Sequence, residues 1–182
     1  MATTDLSKYD NSWYHAGRGV IIRSVWFIVN ALFFINPLNP FSKLKVWLLR
    51  CFGARIGRGV VIKPGVNIKY PWHLAVGDYT WIGENVWIDS LCEVTIGAHC
   101  CLSQGAVIIT GNHDYSSPVF NLMVKPVVLE NGVWIGAGAC LTPGVICYSH
   151  AVLSVGSVAS SNLEAYSIYR GNPAVKVRQR KL

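Results

Sequence analysis

Of the five histidines, His15, His73, His99, His113 and His150, only His113 stands in a long excursion from an otherwise rhythmic chain. The excursion, Gly111 to Lys125, reads G-N-H-D-Y-S-S-P-V-F-N-L-M-V-K, with Pro118 and Pro126 to stiffen it. Long loops in regular scaffolds commonly carry function, so His113 is a candidate catalytic residue, with an inert loop side chain as the alternative. A zinc site needs at least three converging ligands, and no second histidine stands near His113. A G-x-S-x-G serine turn and a Walker-type phosphate loop are both absent from the sequence. His99 and His150 fall at outward positions of the repeat described next, and His73 on its first interruption.

The excursion interrupts a beat of aliphatic residues every sixth position. The beat runs Ile56, Ile62, Ile68; Val76, Ile82, Ile88; Ile96, Leu102, Ile108; then Leu129, Ile135, Leu141, Cys147, Leu153 and Ala159. A period of six fits neither a 3.6-residue helix nor one long strand. It fits short strands joined by tight corners, three to a coil, stacked as a parallel β-helix of about five coils. Each interruption follows a third beat, so all of them leave one edge of a triangular prism. Four residues after each beat comes a second inward position, mostly small. Trp72 and Asn112 are its clear misfits, both where the chain leaves the prism. Glycines 57, 77, 83, 97 and 136 follow beats, where sharp corners favour a residue without a Cβ.

The chain of 182 residues is apolar and aromatic-rich with few charges, which excludes disorder. Three parts are expected: a helical annex over 1–54, the β-helix over 55–165 with its loop at 111–126, and a basic tail over 166–182. A β-helix needs caps at its open ends. The apolar segments Val20–Ile35 and Leu44–Phe52 read as two amphipathic helices able to cap one end. Basic residues beside Trp, Phe and Leu also suit contact with the inner membrane face. No cleavable signal peptide is visible, and neither segment reaches the roughly 20 residues of a spanning helix. None of the six cysteines forms a C-x-x-C pair, and most fall at inward or near-inward positions, as expected of buried free thiols in a reducing cytosol. The net charge of +7 suits a solvated tail, a phosphate-bearing ligand or an anionic membrane. No nucleic-acid module accompanies it.

Taken in order, these features resemble the hexapeptide-repeat acyltransferases. The resemblance rests on the loop T-G-N-H-D (Thr110–Asp114), the run V-W-I-G-A-G-A-C-L-T-P-G-V (Val133–Val145) and the G-N-P-A segment (Gly171–Ala174). The entry R-I-G-R-G-V-V-I-K-P (Arg55–Pro64), the segment K-Y-P-W-H-L-A-V-G-D-Y (Lys69–Tyr79) and the apolar N-terminal helices resemble most the branch of colanic acid and exopolysaccharide O-acetyltransferases. The resemblance implies a left-handed coil, contrary to the usual right-handed crossover. It also implies a homotrimer with sites between subunits, acetyl-CoA as co-substrate and no metal.

His113 would then be the general base that takes the proton of a sugar hydroxyl. Asp114, grouped with the substrate-binding positions, would orient the loop or the ring, or serve as a simple turn residue. Trp134, Ala137, Val155, Ser160 and Arg178 match donor-binding positions. Glu84, Asp89 and Ser90 match positions that hold an acceptor. Two departures stand out: a coil usually of I-G-D-G type reads Cys147-Tyr148-Ser149-His150, and a common Thr-Lys pair reads Ser160-Ser161. The expected function is a cytoplasmic O-acetyltransferase for a sugar or lipid-linked glycan. The rivals are an acetyltransferase for a small acceptor (serine, maltose or an antibiotic) and a non-catalytic scaffold.

Overall fold

The computed structural model describes residues 3–182; the first two residues of the expected annex lie outside the described residues. Every beat residue becomes the buried member of a strand of two or three residues, and three strands make one coil. The first face stacks Arg55–Ile56, Leu74–Val76, Val94–Ile96, Val127–Leu129 and Ile146–Cys147. The second stacks Val61–Ile62, Trp81–Ile82, Cys101–Leu102, Trp134–Ile135 and Val152–Leu153. The third stacks Asn67–Ile68, Trp87–Asp89, Val107–Ile109, Cys140–Leu141 and Val158–Ala159. All three sheets are parallel, and beat pairs with beat across every join, as in Ile82 with Leu102. Leu163 bridges to Cys147 and Ser167–Gly171 adds to the second face, so a partial sixth coil follows the five expected.

Inside the prism lie the beats and most of the second inward set, including Val66, Val86, Ala106, Val133 and Ala139, each fully buried. Burial of each large aliphatic side chain contributes about 1.5–3 kcal/mol. All three interruptions leave between the third and first faces.

Two backbone devices make the corners. The position three after a beat takes a left-handed φ at Gly59, Gly65, Tyr79, Asn85, His99, Gly105, Gly132, Gly138, Gly144, His150 and Gly156, and not where the chain leaves the prism. The glycines directly after beats have another role. A Cβ on Gly77 would lie 2.5 Å from Ala98 N, and one on Gly136 would lie 2.5 Å from Val155 N. They are glycine because the next coil's backbone passes there, which corrects the corner explanation. His99 stacks on Tyr79 and His150 on Tyr166, outside the core as expected.

The N-terminal end is closed by α1 (Val20–Val29), which runs on as a π-helical segment (Asn30–Ile35), and by α2 (Ser42–Cys51). Trp26, Phe34 and Leu49 plug the open coil. Polar groups tie the plug to the first coil's edge. Trp26 Nε1 donates to Ile68 O at 2.9 Å, Lys45 Nζ to Lys63 O at 2.9 Å, and Arg50 to the carbonyls of Ile56 and Gly57. Lys45 is completely buried, and desolvation lowers its pKa.

The far end is closed by an antiparallel pair, Ser167–Gly171 with Ala174–Gln179. Arg180 Nη1 donates to Gly132 O and His150 O. The expected basic tail is therefore largely a strand. Its backbone completes the sheet, although most of its side chains remain exposed. Cys100 and Cys147 are buried thiols with pKa values raised by burial; Cys92, Cys101 and Cys140 are half-buried and Cys51 is exposed. The thiols are thus less uniformly inward than the repeat suggests.

A Gly136→Ala variant should lose about 1–3 kcal/mol of stability through overpacking against the next coil. Gly19→Ala, where nothing lies within 4 Å of the added Cβ, meets no such clash and should lose less, about 0.5 kcal/mol, through the weaker N-cap of α1. Denaturant melts of the two variants beside the parent check this; equal midpoints for all three would contradict it.

Candidate active site

The loop begins where the third strand of the third coil ends. Thr110 is fully buried, and its hydroxyl donates to Asp89 O at 2.7 Å and accepts from Leu91 N at 2.8 Å. This bond fastens the loop's base to the preceding coil. Gly111–His113 then pairs antiparallel with Leu122–Val124, with His113 opposite Leu122. The excursion is thus a hairpin with a tight tip.

His113 is half-buried at the hairpin's outer end. Its Nδ1 lies 2.9 Å from Phe120 O, and the Phe120 ring stacks on the imidazole with 4.5 Å between centroids and 9° between planes. A carbonyl can only accept, so this bond places the proton on Nδ1 and leaves the Nε2 lone pair available. Phe120 adopts a φ of 56°, uncommon for a bulky residue. Tyr9 approaches the imidazole at 5.7 Å, and Asp5 N donates to Pro118 O, so the N-terminal segment supports the loop. Neither Phe120 nor Tyr9 was marked by spacing: one sits inside the loop, the other over a hundred residues away.

Asp114 faces away from the imidazole chemistry. Its Oδ1 accepts from Ser116 Oγ at 2.5 Å and Ser116 N at 2.9 Å, and these bonds hold its carboxyl below the usual carboxylate range. Both of these side-chain hydrogen bonds lie within the turn.

Asp89 lies on the same edge as the loop's base. It is 8% exposed, and an added Cβ on Gly111 would sit 3.9 Å from its Oδ2. Lys69 Nζ of the preceding coil forms an ion pair with its Oδ1 at 3.1 Å. Ser90, expected beside it, is fully buried, and its hydroxyl both donates to Tyr70 O and accepts from Tyr70 N. It joins two coils and has no group left for an acceptor.

Glu84 also departs from expectation. It lies on the edge between the second and third faces, where Gly105 N donates to Glu84 O, Gly138 N to Gln104 O and Gly156 N to Ala137 O. That ladder aligns Glu84 with Ala137 and Val155, both expected at the donor site, and separates it from Asp89 across the width of the third face. Trp134 flanks this edge, half-exposed, with Nε1 donating to Ser103 Oγ at 2.9 Å. Val155 is 72% exposed, Ser160 is exposed, and Arg178 projects from the last strand without a polar partner among the described residues. Within one chain, then, the His113 hairpin and the Trp134–Ala137–Val155 edge occupy different corners of the prism. No group of three metal-ligating side chains occurs among the described residues.

A stacked β-helix with a histidine-bearing hairpin at one corner is a scaffold of the hexapeptide-repeat type. The chain is 38% identical over 176 residues to WcaF of Escherichia coli (strain K12), a protein named as a colanic acid biosynthesis acetyltransferase, covering 97% of each. Among solved structures, a hexapeptide-repeat acetyltransferase of Vibrio cholerae complexed with acetyl coenzyme A superposes with a TM-score of 0.80 at 23% identity, covering 89% of this chain and 88% of that one. A maltose O-acetyltransferase of Clostridium difficile 630 gives 0.77 at 22% over the full length of both. No protein-family model matches. The chain belongs to the hexapeptide-repeat acetyltransferase family, in the branch of colanic acid biosynthesis acetyltransferases. It is an acetyltransferase of that family, built on a parallel β-helix.

Phe120→Ala should lower acetyl transfer, because the imidazole loses the ring that holds its plane; a displacement of about 1 Å can cost up to about 10²-fold. Asp114→Asn, which keeps an oxygen acceptor for Ser116, should transfer acetyl near the parent rate. Steady-state rates on one acceptor preparation decide, and the opposite ranking would reverse the roles given to these two residues.

Proposed function

We propose that this protein moves an acetyl group from acetyl-CoA to a sugar hydroxyl during exopolysaccharide or lipopolysaccharide assembly, with His113 as general base. The observation that carries the reading is the Nδ1 contact with Phe120 O, which leaves Nε2 free to accept a proton. Nε2 takes the hydroxyl proton as the sugar oxygen attacks the thioester carbonyl. The tetrahedral adduct collapses, the carbon–sulfur bond breaks, and the imidazolium returns the proton to the departing thiolate. The products are an acetyl ester and the free thiol of CoA, with no acyl-enzyme.

Asp89 supports the acceptor's placement. Its largely buried carboxylate, anchored by Lys69, keeps lone pairs to accept from a sugar hydroxyl. Trp134, Ala137, Val155, Ser160 and Arg178 would form the pantetheine and nucleotide side, Arg178 with a free cation for phosphate. These groups lie at a different corner from His113, so one chain does not assemble the pair; a homotrimer would bring one subunit's hairpin to its neighbour's edge. The colanic acid name of the 38% identical relative favours a glycan over a small acceptor.

His113→Ala should cost about 10²–10⁴-fold in kcat while acetyl-CoA still binds by calorimetry. Near-parent turnover by the folded variant would sink the mechanism; a scaffold without catalysis would show no acetyl-CoA binding in the parent.

The same reading places the enzyme at the cytoplasmic face of the inner membrane. No helix is long and apolar enough to cross a membrane among the described residues. α1 and its π-helical continuation instead present Ile21, Val25 and Leu32 outward, with Ile21 75% exposed. Trp26 is buried and Phe33 packs against the core, so these two, although apolar, do not belong to that face. Replacing Ile21, Val25 and Leu32 with serine should abolish co-sedimentation with anionic vesicles. Failure of the parent to sediment would remove the membrane contact without touching the chemistry.

A further inference from the structure

Between α1 and the third face runs a cavity of about 570 Å³, within the range that ligand sites occupy. Its walls are apolar: Val20, Phe27 and Ile28 from α1, Ile35 beyond it, and Trp87 from the second coil. Phe27 is 72% exposed and Trp87 44%, although both flank this concave surface. Arg23 lines the cavity and also a polar recess formed by Tyr14 to Gly19, which holds Arg18 and His15. Arg23 Nε is buried and has no hydrogen-bond partner among the described residues. The rest of the guanidinium lines the cavity with its positive charge unpaired, which suits an anion there.

The surrounding charge agrees. Between Asp10 and Asp78 the chain has nine lysines and arginines and no acidic residue. Arg58 and Lys69 pair with Asp78 and Asp89, and Lys45 and Arg50 are used by backbone carbonyls. Arg18 and Arg23 have no side-chain partner among the described residues, and they flank the apolar cavity's polar end.

The cavity also leads toward the chemistry. Lys69, on its rim, pairs with Asp89 one coil further on, and Gly111 opens the His113 hairpin one coil beyond that. Successive coils lie about 4.8 Å apart, so the rim and the base of the hairpin are separated by roughly 10 Å along one edge.

We infer that this cavity is a binding site for the lipid phosphate of the acceptor, with an alkyl or prenyl chain along Val20, Phe27 and Trp87 and the phosphate on Arg23. The attached glycan then extends past Lys69 and Asp89 to His113. This deepens the proposed function and rests on its reading of the acceptor as a lipid-linked glycan. It makes α1 a substrate-binding element as well as a cap, with its outer face against the membrane and its inner side on one extracted lipid.

Calorimetric titration of the full chain with dodecyl phosphate, below its micellar concentration, tests the site. The parent should bind one molecule per chain, with inorganic phosphate and dodecanol each weaker. Arg23→Gln should weaken dodecyl phosphate roughly tenfold or more and leave dodecanol unchanged. Ser24→Trp, which fills the cavity from α1, should abolish both. Ile21→Ser with Val25→Ser, on the outer face, should leave both unchanged. His113→Ala should bind as the parent does, which keeps this result separate from the catalytic proposal. No binding by the parent, equal binding by Arg23→Gln, or loss only in the outer-face variant would each overturn the site. The last outcome would mean adsorption on the helix surface.

Discussion

The whole molecule depends on the close passage of one coil over the next. Parallel strands of adjacent coils are bonded backbone to backbone, as when Gly77 N reaches Ile96 O at 2.7 Å and Gly97 N reaches Leu129 O at 2.7 Å. At that spacing a Cβ on Gly77 or Gly136 would enter the neighbouring chain. The hexad follows directly. Each side needs one large inward residue, one small inward residue near the corner and a backbone able to turn sharply. A strand of only two residues has almost no stability alone, so each coil is held by its neighbours. The ends are the exception, which is why a helical plug and a terminal strand pair are built there.

The same constraint decides where chemistry can occur. A side chain inside the prism is committed to packing, and a corner that turns in four residues has no room for an excursion. Only the edge between the third and first faces admits insertions, and the longest carries His113. Its hairpin is not loose: Thr110 binds it to the preceding coil, and Phe120 holds the imidazole from above and through its carbonyl. The rigid coil therefore extends to the His113 imidazole by two hydrogen bonds and one stacked pair.

Where the sequence reading and the structure part, the reason is usually a hydrogen bond that spacing cannot show. Ser90 has the right residue type beside Asp89, but the turn at Tyr70 uses both its donor and its acceptor. Glu84 is five residues from Asp89, yet the chain crosses a whole face between them. Trp26 looks like an interfacial tryptophan until its indole N–H is found on Ile68 O. Conversely, Asp89 stands at the loop's base, held by Lys69 of the preceding coil. The terminal basic residues read as a solvated tail because their partner strand is the sheet edge, a feature no local pattern announces.

Sequence alone determined the repeat, its phase, the corner from which the histidine emerges and the family. The physical reason is that a solenoid's contacts lie at a nearly constant sequence separation, so each coil writes the same demands into the chain. Tertiary structure alone decided the tautomer-setting contact at His113, the separation of its hairpin from the Trp134–Ala137–Val155 edge, and the apolar cavity closed by α1. These depend on contacts between segments with no fixed spacing: Phe120 against His113 within an irregular loop, Arg23 and Phe27 against Trp87 across the first coils. Periodicity carries information about neighbours in a stack, and it carries none about what docks on the stack's ends and edges.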